Sequence, residues 1–115
     1  MARVGDREPG HELFWELAEP HLAAGRLVEG TMMGHQCLRT AASNEFVATV
    51  TRREGYVVVK LPAGRVGALI DDGVGTSFAP AGKVFKEWLA LPDVDEATWE
   101  SLLAESIEFV DGGRP

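Results

Sequence analysis

The sequence predicts an α+β fold, a mainly antiparallel sheet with helices packed on one face, in the order α-β-β-β-α-β-α. Three observations carry that expectation. The span Thr31 to Leu61 is rich in β-branched residues and is cut by turn residues. The spans before and after it place apolar side chains at helical spacing. The chain has 115 residues, 45% hydrophobic and 25% charged, the size and makeup of one domain with one cooperative core. The core is expected over 11–110, with loose ends at 1–10 and 111–115.

A first helix is expected from about His11 to Ala24, with Leu13, Phe14, Leu17 and Ala18 along one stripe. Pro20 lacks an amide hydrogen and predicts a kink or restart, and Gly25 is a candidate C-terminal cap. Thr31 to Arg39 reads as a strand interrupted by Gly34, followed by a turn at Ala41-Ala42-Ser43-Asn44. Phe46, Ala48 and Val50 alternate with Val47, Thr49 and Thr51, the pattern of a half-buried strand. After a turn at Arg53-Glu54-Gly55, Tyr56 to Leu61 carries three valines in a row, which predicts burial on both faces and a central place in the sheet. Pro62 suits the first position of a short helix bearing Val66, Leu69 and Ile70 and ended by Gly73. Gly73 to Lys83 reads as an irregular loop, and Val84 to Leu91 as a strand ended by Pro92. The last helix has a capping-box pattern at Asp93 and Glu96 and a stripe of Trp99, Leu102, Leu103, Ile107 and Val110.

The net charge of −7 works against dedicated nucleic-acid binding, which needs a surplus of cations on the docking face. The charge is uneven, however. From Phe46 to Lys86 there are six basic residues (Arg52, Arg53, Lys60, Arg65, Lys83, Lys86) against three acidic ones. Cys37 is the single cysteine, so no internal disulfide forms, which fits a reducing compartment. No secretory pattern opens the chain, and no run approaches the roughly 20 apolar residues of a membrane span. A cytoplasmic location is the resulting expectation.

No catalytic, cofactor-binding or metal-binding residue is expected from the sequence patterns. Gly75 to Lys83 fails the phosphate-loop pattern, because Ser77 stands at the first glycine position and Val84 replaces the Ser/Thr after the lysine. His35 and Cys37 share one face of a strand, but two ligands do not make a zinc site, and no orienting acid accompanies them for thiol catalysis. Asp71-Asp72 reads as helix-end turn chemistry. Trp15, Trp88 and Trp99 are expected in the core or at an interface rather than as a base-stacking platform.

Four motifs together resemble the TfoX N-terminal domain family and, more loosely, the YjbR-like proteins. They are Gly30-Thr31-Met32-Met33-Gly34-His35-Gln36-Cys37-Leu38, Val57-Val58-Val59-Lys60-Leu61-Pro62, Phe78-Ala79-Pro80-Ala81-Gly82-Lys83 and Lys86-Glu87-Trp88-Leu89. The resemblance covers roughly Val28 to Val110. Where that family shows Met-Phe-Gly-Gly, this chain has Met32-Met33-Gly34-His35. The residues read as a non-catalytic binding domain that acts through a protein partner or self-association, and the resemblance implies a regulatory setting for it. The alternative is a DNA-binding protein of the YjbR-like type. The candidate interaction residues are Arg52, Arg53, Tyr56, Lys60, Arg65, Lys83 and Lys86. No cofactor and no membrane contact are expected.

Overall fold

In the computed structural model, which describes residues 9–32, 35–51, 57–79 and 82–112, the first element is helix α1, Pro9–Ala23. It buries Phe14, Trp15 and Ala18, and the Phe14 and Trp15 rings meet edge to face at 5.0 Å. The helix runs through Pro20 without the expected restart. Pro20 lies in the last turn, where its missing donor removes a single bond, the one to the Glu16 carbonyl. Gly25 caps the helix as anticipated. Its φ of +77° lets Arg26 N–H reach the His21 carbonyl while its own N–H reaches Leu22.

Strands β1 (Leu27–Met32), β2 (His35–Thr40), β3 (Phe46–Val50) and β4 (Val57–Lys60) form an antiparallel meander. Helix α2 (Ala63–Asp71), the two-residue strand β5 (Thr76–Ser77), strand β6 (Trp88–Leu91) and helix α3 (Glu96–Ile107) follow. A π-helical turn, Glu108–Gly112, extends α3. The sheet order is β1-β2-β3-β4-β6-β5, with every pair antiparallel. The α+β class and the helices on one face are as the sequence predicts.

Several details differ from expectation. The span Thr31–Arg39 holds the end of β1 and nearly all of β2, which pair antiparallel, and residues 33–34 lie outside the described residues. The edge strand β1 keeps Val28, Glu29 and Thr31 exposed, so it gives no apolar alternation to read. The span predicted as one strand from Val84 is extended only at Trp88–Leu91, and the loop before it contains β5. Pro62 is the N-cap of α2, one place before its expected position. Asp95, not Asp93, caps α3. Its backbone is extended and its carboxylate accepts from Thr98 N–H at 3.2 Å. Gly10 at one end, and Asp111 with Gly112 at the other, are helical rather than loose. Residues 1–8 and 113–115, and the expected Arg53-Glu54-Gly55 turn, lie outside the described residues.

The pairing register sorts the strand side chains. Leu38, Ala48, Val59 and Leu89 align on the helix side, with Val50, Val57 and Leu91 beside them. These join the buried cluster that includes Trp99, Leu102, Leu103, Ile107 and Val110, so the α3 stripe packs as predicted. Cys37, Thr49, Val58 and Ala90 align on the other side, the helix-free face. Val57, Val58 and Val59 are all buried, as a central strand requires.

β3 departs from the half-buried expectation because all five of its residues are buried. It carries a bulge: Leu38 pairs with Ala48 but Arg39 pairs with Phe46, which leaves Val47 over. Val47 joins the core beneath the helices and Phe46 moves to the helix-free face. The Val47 carbonyl accepts from the buried Ser106 hydroxyl at 3.1 Å, which ties α3 to the bulge.

Two glycines inside α2, Gly64 and Gly67, are exposed with nothing within 4 Å of an added β-carbon. Replacing both with Ala is expected to stabilise the protein by about 1–2 kcal/mol, because glycine loses more freedom on entering a helix. Chemical denaturation of the double variant checks this. A midpoint equal to or below that of wild type would contradict it.

Candidate functional site

The helix-free face carries a column of aromatic rings. Phe46 stacks on Trp88 at 4.6 Å and 29°, and Trp88 stacks on Phe85 at 4.7 Å and 19°. Phe78 leans on both Phe85 (5.9 Å) and Trp88 (5.5 Å). The bulge supplies Phe46 and strand β6 supplies Trp88. The segment between β5 and β6 folds back to supply the other two rings, held by Phe85 N–H on the Phe78 carbonyl. Phe46 is buried, whereas Phe78, Phe85 and Trp88 are partly exposed and Val84 beside them is 53% exposed. Trp15 and Trp99 are core residues, so Trp88 is the one tryptophan that reaches this surface.

Charges sort by face around this column. Lys60 lies directly across from Trp88, and Arg39 directly across from Phe46. Opposed residues of an antiparallel pair share a face, so both cations belong to the helix-free side. Lys83 Nζ sits over the Phe85 ring, 5.7 Å from its centre. Glu29 lies the other way, opposite helix-side Leu38, and the backbone carbonyls of Glu45 and Glu87 accept from Thr40 and Leu61 N–H. The helices carry most remaining acids, among them Glu12, Glu16, Glu19, Glu96, Glu100 and Glu105.

The Arg39 guanidinium is held in place. It donates to the carbonyls of Asn44 (2.9 Å) and Thr31 (3.1 Å), and its stem crosses Gly30, where an added β-carbon would meet Arg39 Cδ at 2.8 Å. Asn44, with φ of 59°, sits in the left-handed region that asparagine tolerates.

The candidate interaction residues do not all assemble here. Lys60 and Lys83 adjoin the column, and exposed Lys86 sits in the turn between Phe85 and Trp88. Arg65 is on α2, where its guanidinium makes two 3.0 Å bonds to the Glu105 carboxylate. That partner raises the Arg65 pKa, so the group stays charged. The exposed pair links α2 to α3, and screening by water keeps its contribution to stability small. Arg52, Arg53 and Tyr56 lie outside the described residues.

Other polar groups are engaged structurally. Buried His11 bonds through Nε2 to the Thr51 carbonyl and fixes the start of α1 to the end of β3. Burial, and then Arg26, lower the His21 pKa, with Glu100 opposing. Cys37 is fully buried, and burial pushes its thiol pKa up against a smaller opposing effect of Arg39, the reverse of an activated nucleophile. Among the described residues no three His, Cys, Asp or Glu side chains converge on a metal-sized site.

Reading the sequence missed Arg39, Val84 and Phe85 as residues of this surface and Phe46 as the buried ring at its base. The available signal was density: Phe78, Phe85 and Trp88 crowd a glycine- and proline-punctuated stretch where loops are usually polar. No family model, no curated protein and no solved structure matches this chain.

Proposed function

We propose that this chain is a non-catalytic binding domain that engages a protein partner, or a second copy of itself, through the aromatic column of the helix-free face. One observation carries the reading: Phe78, Phe85, Trp88 and Val84 form a partly exposed apolar patch on the side of the sheet opposite the helices. Aromatic anchors of this kind dominate protein interfaces, because they bring large area with little rotamer freedom to lose. Reading the chain as a regulatory relative of the TfoX N-terminal domain is consistent with this role, and that kinship is part of the proposal.

The alternative is DNA binding of the YjbR-like type, and the placement of Lys60 and Lys83 beside the rings favours it. Ring geometry weighs against it. Nucleobases stack on free ring faces, whereas these rings stack largely on one another.

A photo-crosslinking residue placed at Val84 in the full chain tests the reading in extract from the source cell. Nuclease-resistant protein adducts, including an adduct of twice the chain mass, are expected. Adducts that vanish on nuclease treatment would transfer the assignment to nucleic acid, and an absence of adducts would remove it.

A further inference from the structure

The sorting of charge by face identifies what kind of protein segment this patch accepts. We infer that the helix-free face binds an acidic peptide segment carrying apolar side chains, an inference that rests on the protein-contact reading above. Among the described residues, Arg39 and Lys60 are the charged strand residues placed on this face, and Lys83 covers Phe85, while the strand carboxylate Glu29 lies on the helix side. The patch is thus locally basic on a chain of net charge −7. A basic surround on an acidic body attracts an acidic partner to that one place and repels it elsewhere, which sets orientation and approach rate.

Ring geometry points the same way. Stacking occupies ring faces of Phe46, Trp88 and Phe85, and ring edges carry partial positive charge that favours carboxylate and carbonyl oxygens. The exposed Val84 and the partly exposed Phe78 and Phe85 offer the apolar contact. Surface ion pairs contribute little each, so burial of the peptide's apolar side chains supplies affinity and charge supplies selection.

Fluorescence anisotropy of three labelled twelve-residue peptides against the full chain tests this. All share the same leucines, with glutamate, glutamine or lysine at the remaining positions, and a twelve-nucleotide oligothymidine serves as the fourth probe. The glutamate peptide is expected to bind about tenfold more tightly than the glutamine peptide at 50 mM salt. That advantage should shrink severalfold at 500 mM, as screening requires. The surface variant Lys83→Glu with Lys86→Glu should lose the preference while melting at the wild-type temperature. Equal binding of the three peptides, or a preference for lysine, overturns the inference and leaves the protein-contact reading intact. Oligothymidine binding with no peptide binding overturns both. No binding of any probe overturns the acidic-segment inference, while the crosslinking result still decides the protein-contact reading.

Discussion

Trp99→Ala is expected to lower unfolding stability by about 3–5 kcal/mol, a large share of the roughly 5–15 kcal/mol that keeps a domain of this size folded. Trp99 is 2% exposed and belongs to the stripe by which α3 meets the sheet. It also lines a void of about 10 Å³, together with Phe14, Leu17, Val57, Val59, Leu91, Leu102 and Leu103. That void has room for about one water but apolar walls, so it gains nothing by filling. Removing the indole enlarges a gap that two helices and the sheet already fail to close, and the transfer and cavity contributions add. Among the described residues the indole N–H has no hydrogen-bond partner, which makes Trp99→Phe the informative companion. That variant keeps a ring and removes an unpaired buried donor, so the lost area is partly offset and the cost should be about 1 kcal/mol. Urea denaturation measures both. If Trp99→Phe proved as damaging as Trp99→Ala, the N–H would have to be satisfied in solution and the account of the void would be wrong.

Gly75→Ala should destabilise by about 1–3 kcal/mol, although it adds a single methyl group. The added carbon would lie 2.7 Å from the Ala90 carbonyl oxygen and 2.8 Å from the Leu89 side chain. Backbone oxygen in a paired strand cannot retreat as a flexible side chain can. The short β5–β6 pairing, Thr76 with Ala90 and Ser77 with Leu89, begins at that approach, so it should loosen with the overall loss. Gly67→Ala provides the control, since it adds the same atom in open space. Thermal melting of the two variants should move in opposite directions. A Gly75→Ala protein melting within a degree of wild type would show that β5 is not packed as described.

Comparison with the sequence shows where periodicity carries information. The α3 stripe and the valine run of β4 were readable because burial is continuous there and the side-chain period is unbroken. Gly25 and Gly73 were readable as helix ends, and each has φ of +77°. The β1–β2 pairing was not readable, because an edge strand with exposed Val28, Glu29 and Thr31 has no buried face to impose alternation. The cap of α3 was misplaced because Asp93 satisfied the spacing rule with Glu96, whereas the carboxylate that reaches an amide belongs to Asp95. The aromatic column was hidden for a different reason. Its rings come from β3, β6 and the segment between β5 and β6, and only pairing register brings them together. Of the candidate cations, Lys60 and Lys83 each adjoin the column, and sequence clustering could not foresee that Arg65 is occupied by Glu105 from another helix.

The surplus residue at Val47 works as a phase shifter. Without it, Phe46 would follow Ala48 and Val50 to the helix side, and the column would lose its innermost ring. A one-residue deletion in this strand would therefore strip the outer surface and overfill the interior in the same stroke. Shape on one side of the sheet and packing on the other are consequently inherited together, and neither can drift far without the other.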